Sequence, residues 1–388
     1  MRDFTYVIPT KILFGKNQIQ NISGELASLG KKILLVYGRE SIKKTGVYDS
    51  IISILQQESA TFYELSGVQP NPRISSVKEG ISLCRTHQID GILAVGGGSV
   101  IDCAKSIATG FYYDGNPWEL FLRGDSLIQK ALPLGTVLTV AGTGSEMNGN
   151  AVISNEETKQ KRAIHHDVLR PRFSILDPTV TFTVSKEQTA AGVVDIFSHV
   201  LEQYFSPTRE AFIQSRIAEG LLLTCRKYGL IAVDEPTNYE ARAQILWASS
   251  LALNGLLGYG RLADWATHGI EHAVSAVYDV THGVGLAVLT PYWMDYVLEK
   301  DTVGTFVEYA QNVWQIPGGD DFSVAKKGIE KTREFFISLG MPRTLHEIGV
   351  QHGKLKELVD KAVSSHTIGQ FKKLDKKDVL RILQNAFE

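Results

Sequence analysis

Five short apolar runs, spaced through the first 180 residues with amphipathic stretches between them, restrict the fold most. Lys32–Tyr37, Thr61–Leu65, Gly91–Val95, Gly135–Thr139 and Phe173–Leu176 have the composition of strands. KILLVY and GILAV are apolar almost throughout, as parallel strands covered on both faces should be. The intervening stretches Ser41–Gln57, Ser75–His87 and Ser99–Thr109 are amphipathic in the helical sense. Strand alternating with helix implies right-handed crossovers and a doubly wound, mostly parallel sheet. From about residue 181 the strand signal stops. Ser185, with Gln188 three residues on, marks the start of a helix to about Phe205. Helical periodicity then continues through Ala211–Tyr228, Tyr239–Asn254, Asp264–Tyr278, Thr305–Trp314 and Phe322–Leu339. The expected organisation is an α/β domain of nucleotide-binding type over residues 1–180 and an all-α domain over 181–388, with the boundary near Asp177-Pro178.

Bulk properties narrow the class. A chain of 388 residues with 44% hydrophobic residues can bury full cores. Its formal net charge of −2 gives no electrostatic reason to expect nucleic acid or an anionic membrane as partner. No apolar run reaches the ~18 residues of a membrane span. The start, MRDFTYVIPTKILFG, lacks the basic-then-apolar order of a signal peptide. Three cysteines, Cys84, Cys103 and Cys225, have no paired spacing, so neither a disulfide framework nor a cysteine-based zinc site is expected. These features together predict a soluble cytoplasmic enzyme.

Two glycine-rich loops follow predicted strands. Gly91–Val95 runs into Gly96-Gly97-Gly98-Ser99 and then a helix, the arrangement that turns backbone N–H groups and a positive helix end toward a phosphate. It matches neither GxGxxG nor GxxxxGK[ST]. Asp102, Cys103 and Lys105 lie on the first turns of that helix, where capping or a solvated face would also explain them. Ala141-Gly142-Thr143-Gly144-Ser145-Glu146-Met147-Asn148 follows Gly135–Thr139 and carries hydroxyls suited to phosphate or ribose oxygens. After KILLVY come Gly38-Arg39-Glu40-Ser41. An arginine at such a position accommodates a 2′-phosphate and a carboxylate binds a ribose hydroxyl, so Arg39 inclines the reading to NADP while Glu40 keeps NAD open.

The densest chemistry lies further along. Asp195 and His199 are four apart on one helical face, with Val193, Val194, Ile196 and Phe197 around Asp195. A carboxylate in such surroundings must be paired or coordinate a cation. His268 and His272 are again four apart, and His282 stands beside Gly283 at the start of another apolar run. One aspartate with two or three of these histidines would suit Fe2+, Zn2+ or Mn2+. His87, His165, His166, His346, His352 and His366 show no such partners and are expected to face solvent.

Seven segments carry a resemblance to the iron-containing (group III) alcohol dehydrogenases, and to their butanol-dehydrogenase branch. They are FGKNQIQNI at Phe14, YGRESIKKTGVYD at Tyr37, QPNPR at Gln69, GGGSVIDCAK at Gly96, GTGSEMNGNAVISN at Gly142, VVDIFSHVLEQY at Val193, and HGIEHAVSAVYDVTHGVGLAVL at His268. The resemblance implies a dehydroquinate-synthase-like α/β domain followed by the helical one. It implies Asp195, His199, His268 and His282 as metal ligands, with His272 beside the substrate rather than on the metal; its position one helical turn past His268 makes His272 the expected proton-relaying catalytic residue. It places the cofactor against Gly38, Ser41, Asn71, Gly97, Gly98, Ser99, Asp102, Thr139, Thr143, Ser145 and Lys161, with Arg39 where cofactor preference varies. A homodimer is also implied.

The expected activity is reversible hydride transfer between NAD(P)(H) and a primary alcohol or aldehyde such as butanol or butanal, in the cleft between the domains. One divalent ion, Fe2+ or Zn2+, would assist. A zinc polyol (glycerol-type) dehydrogenase is the alternative on the same scaffold, and a non-catalytic nucleotide- or metal-binding protein the alternative of another class. Leu251–Leu289 contains only Arg261 as a strong cation, which argues against phosphorylated substrates. Trp118 and Trp265 are candidate walls of a substrate pocket.

Overall fold

The structure, a computed structural model, describes residues 1–363 and 367–388. Six strands form one sheet: β1 (Lys11–Phe14), β2 (Lys32–Tyr37), β3 (Thr61–Leu65), β4 (Gly91–Gly96), β5 (Leu134–Leu138) and β8 (Phe173–Leu176). They lie in the order β1-β8-β5-β4-β2-β3, and every neighbouring pair is parallel. Alternation along the strands splits the core in two. Ile33, Leu35, Leu93 and Val95 join Ile51, Ile54 and Leu55 of the Val47–Gln57 helix. Leu34, Val36, Ile92 and Ala94 join Val77 and Ile81 of the Ile74–His87 helix and Ile101 and Ala104 of the Gly98–Gly110 helix. The sheet is therefore covered on both faces, as the doubly wound reading requires.

The path of the chain fixes where a ligand can approach. From β2 the chain moves outward to β3 and then crosses to the other side of β2 to make β4. Tyr37 pairs with Val95 and Gly96 with Leu138, so β2, β4 and β5 end level with one another. A reversal of this kind opens a crevice beyond the carboxyl ends, where the connecting loops diverge.

Three local features depart from the sequence reading. β1 precedes KILLVY as the first strand of the sheet; its four residues are too few to signal a strand by pattern. β6 (Asn150–Asn155) and β7 (Gln160–His165) form a separate antiparallel hairpin, and QKRAIH gains strand character from pairing rather than from apolar content. The stretch Ser41–Gln57 is two helices, Ser41–Lys44 and Val47–Gln57, because Gly46 between them takes φ +75°.

The helices Lys186–Tyr204, Phe212–Asp234, Ala266–Tyr278, His282–Val297, Val303–Trp314, Asp321–Ser338, Leu355–Ala362 and Lys376–Asn385 follow. His282–Val297 is buried on every side from Gly285 to Pro291, with a proline inside it, so its helical period was not visible. Two compact units result. One comprises Val7–Ser185 with Pro236–Asn254, the other Met1–Tyr6, Lys186–Glu235 and Gly255–Glu388. The Tyr239–Ala252 helix thus groups with the α/β unit, although it lies beyond residue 180. No helix among the described residues is long and apolar enough to cross a membrane.

Candidate functional site

Within the α/β unit, the loops after β2, β3, β4 and β5 and strand β7 carry the residues expected to meet a cofactor. Gly38 is half-buried after β2, with Arg39 and Ser41 exposed. Asn71, buried and at φ +52°, lies in the loop after β3 and accepts from Lys161 Nζ on β7 at 3.0 Å. The Thr139 N–H donates to the Gly96 carbonyl at 3.1 Å, joining the ends of β4 and β5. The two glycine loops touch closely: a Cβ on Gly98 would stand 2.2 Å from Thr143 Oγ1. Gly97 and Ser99 remain half-buried there. Asp102 and Ser145 turn inward instead. Ser145 Oγ donates to Asp102 Oδ1 at 2.5 Å, and the Val152 N–H donates to Asp102 Oδ2 at 3.0 Å. Lys105 is fully buried and donates to Ser145 Oγ, Asn148 O, Asn148 Oδ1 and Asn150 O at 2.8–3.0 Å. Neither Asp102 nor Lys105 is on a solvated face; both brace the second loop against the first helix.

In the helical unit three helices bring distant residues to one place. The Lys186–Tyr204 helix crosses His282–Val297 so closely that a Cβ on Gly283 would lie 2.0 Å from the Ala191 carbonyl. That approach sets His282 beside Asp195 and His199, which follow Ala191 by one and two turns. The Ala266–Tyr278 helix supplies His268. Asp195, His199, His268 and His282 each offer a ligand atom, all within 4.8 Å of one another. Ligands ~2.1 Å from a tetrahedral ion stand about 3.4 Å apart. Asp195 Oδ1 lies 3.3 Å from His199 Nδ1 and 3.7 Å from His282 Nε2.

The donor set suits a divalent cation. His199 Nδ1 and His268 Nε2 are buried without a hydrogen-bond partner among the described residues. Such atoms cost ~1–3 kcal/mol each when nothing satisfies them. Burial, and then the neighbouring imidazoles of His268 and His282, hold His199 well below the ordinary imidazole range, which keeps its lone pair available. His272 sits next to the group, its ring centroid 5.4 Å from that of His282 and 6.5 Å from that of His268.

Two family models cover the chain: iron-containing alcohol dehydrogenase over residues 9–178, and the C-terminal domain of that family over residues 189–387. The chain belongs to the iron-containing alcohol dehydrogenase family. Among its relatives is the NADH-dependent butanol dehydrogenase A of Clostridium acetobutylicum, 50% identical over the whole of both chains. The NADPH-dependent aldehyde reductase YqhD of Escherichia coli is 39% identical, with 93% of each chain covered. The crystal structure of NADH-dependent butanol dehydrogenase A from Thermotoga maritima matches with a TM-score of 0.96 and 39% identity, covering 100% of this chain and 99% of that one. The protein is accordingly an oxidoreductase of the alcohol dehydrogenase and aldehyde reductase type, in the butanol-dehydrogenase branch.

In this alcohol dehydrogenase the two candidate tryptophans have different surroundings. Trp118 is buried and stacks on Phe121, so it is core rather than a pocket wall. Trp265 is 38% exposed and meets His268 edge-on at 5.3 Å. Arg261 is buried and donates to the Gln203 and Ala211 carbonyls and to Ser215 Oγ, so it is not held ready for a substrate phosphate. His165, His346 and His352 are exposed; His87 is half-buried and stacks on Tyr63, and His166 is half-buried. His366 lies outside the described residues. The cysteines are thiols, buried, and burial pushes Cys84 and Cys225 up to about 12. Sequence reading missed Glu202 and Glu271, both buried against the histidine group. Each stands three residues past one of its histidines, His199 and His268, a spacing that places it on the same side of its helix.

Proposed function

We propose that the protein interconverts short primary alcohols and aldehydes, with butanol and butanal as the reference pair, by hydride exchange with NADH. In this reading Asp195, His199, His268 and His282 hold one divalent ion, Fe2+ or Zn2+. The observation that carries it is the convergence of these four ligand atoms within 4.8 Å. When bound, the ion supplies Lewis acidity, making an alcohol oxygen more acidic and a carbonyl more electrophilic. The nicotinamide, when bound, takes or gives the hydride.

The chain's own residues do the rest. Gly97, half-buried and without a side chain, lets a pyrophosphate approach the start of the Gly98–Gly110 helix, and Gly98 makes room for Thr143, which offers a hydroxyl there. Lys161 and Asn71, already joined at 3.0 Å, stand at the cofactor side of the loop after β3. His272 takes the proton from the alcohol oxygen during oxidation and returns it during reduction, which suits its place one turn past His268.

NADH is preferred in this reading because the relative at 50% identity is named for it, and because Lys43 lies 3.6 Å from Glu40 and offsets that carboxylate instead of awaiting a phosphate. Arg39, exposed after β2, favours NADPH as the second reading.

The test is steady-state turnover of butanal and a short aldehyde series with each cofactor, alongside bound metal, for the wild type, His268→Ala and His272→Ala. The wild type should turn over faster with NADH at equal concentration. His268→Ala should lose metal and turnover together, and His272→Ala should keep metal but slow by about 100-fold or more. An absence of turnover with either cofactor would overturn the proposal.

A further inference from the structure

We propose that Glu202 and Glu271 are positioning residues for the cation site. Each carboxylate holds one imidazole by Nδ1, so it decides which nitrogen faces the ion and how strongly that nitrogen donates. The inference rests on the reading of Asp195, His199, His268 and His282 as cation ligands, and extends it to residues that touch neither ion nor substrate.

Glu202 is 2% exposed and belongs to the Lys186–Tyr204 helix. Its Oε1 lies 3.1 Å from His268 Nδ1 and accepts the His268 backbone N–H at 2.9 Å. A carboxylate only accepts, so the ring proton belongs on Nδ1 and the lone pair on Nε2. His268 Nε2 is buried with no hydrogen-bond partner among the described residues. The same oxygen also does a helix cap's work. His268 is the third residue of the Ala266–Tyr278 helix, whose first amides lack intrahelical acceptors, and its N-cap, Trp265, supplies no side-chain cap. One atom therefore ties down both the main chain and the ring of a ligand.

Glu271 repeats the arrangement at His282. It is fully buried, its Oε1 accepts from the Ser275 hydroxyl, and its Oε2 meets His282 Nδ1. His282 Nε2 is thereby left toward Asp195 Oδ1, 3.7 Å away. Gly285 makes room, since a Cβ there would stand 2.8 Å from Glu271 Cγ. The carboxylate beside His199 Nδ1, by contrast, is that of Asp195, a member of the group itself. With Asp195 alone, a divalent site has a formal charge of +2 − 1 = +1; with Glu202 and Glu271 as carboxylates the sum is +2 − 3 = −1. The two glutamates thus favour retention of a cation and make the imidazoles stronger donors.

Glutamine keeps an oxygen acceptor in nearly the same volume and removes only the charge, whereas alanine removes both. The decisive measurement is the Zn2+ dissociation constant, by competition with a chelator of known affinity, for metal-stripped wild type, Glu202→Gln, Glu271→Gln and Glu202→Ala. Thermal midpoints of the metal-free proteins are recorded in parallel. The wild type should bind one Zn2+. Each glutamine variant should bind about 10- to 100-fold more weakly with a metal-free midpoint close to the wild type, and alanine should bind more weakly still. Unchanged affinity in both glutamine variants overturns the inference, as does weakening matched by collapse of the metal-free midpoint, which would mark a purely structural role. If the wild type itself fails to bind Zn2+ stoichiometrically, the ligand reading is what falls, and this inference with it.

Discussion

Lys105 has no contact with solvent, and its ammonium group is committed to Ser145 and Asn148 of the second loop and Asn150 at the start of β6, some forty positions further along the chain. Nothing in its own helix announces this: a lysine about two turns into GSVIDCAKSIATG reads equally well as solvated, and only the folded path of the second loop decides the matter. Lys105→Met should strand the acceptors at Asn148 and Asn150, at ~1–3 kcal/mol for each group left unsatisfied. The loosened loop should raise the KM for the nicotinamide cofactor more than it lowers kcat. Burial brings the Lys105 ammonium down to about 7, with Asp102 and Glu146 opposing the shift and Arg170 adding to it. An unfolded lysine titrates near 10.5, so between about 7 and 10.5 the unfolded chain holds the extra proton and rising pH favours the folded form. Denaturant melts of wild type and Lys105→Met should therefore diverge in favour of the wild type as pH rises across that window. Parallel curves would contradict the assignment.

At the scale of elements, the contact of Lys186–Tyr204 with His282–Val297 governs the histidine group. Gly283 permits it, because any side chain there would run into the Ala191 carbonyl. Gly283→Ala should force the helices apart, destabilise by about 1–3 kcal/mol or more, and weaken Zn2+ binding, since His282 moves relative to Asp195 and His199. Calorimetry together with a zinc titration checks both halves; an unchanged midpoint and affinity would show that the close crossing is not needed. The first of these helices was legible because VVDIFSHVLEQY keeps helical spacing behind a plausible start. The second was not, as HGVGLAVLTPYWMDYV buries residues on all sides and contains a proline. The candidates Asp195, His199, His268 and His272 stood out all the same by i, i+4 spacing, and His282 by its place beside Gly283, but the choice of Asp195, His199, His268 and His282 among them came from the family resemblance. Glu202 and Glu271 were not, since a glutamate on an amphipathic helix ordinarily reads as solvated, and the histidine each one holds lies on another part of the chain.

For the molecule as a whole, alternation of strands and helices was enough to read a parallel α/β unit followed by helices, because burial on both faces leaves nearly unbroken apolar strands. Strand order was beyond such a reading, since β1 reaches the sheet edge through pairing with β8, far away in sequence. So was the return of Pro236–Asn254 to the α/β unit, where Ser249 Oγ accepts the Gly142 N–H at 2.8 Å and Ser250 donates to Glu146. Such contacts are non-local, and local pattern does not encode them. What the chain does depends above all on whether one cation, gathered by four side chains from three helices, is required for hydride exchange. Butanal-dependent NADH oxidation, followed in the purified protein, after chelation, and after return of one equivalent of Fe2+ or Zn2+, tests this most directly. Turnover should vanish with the metal and return with a single equivalent; undiminished turnover in protein shown to be metal-free would contradict the account.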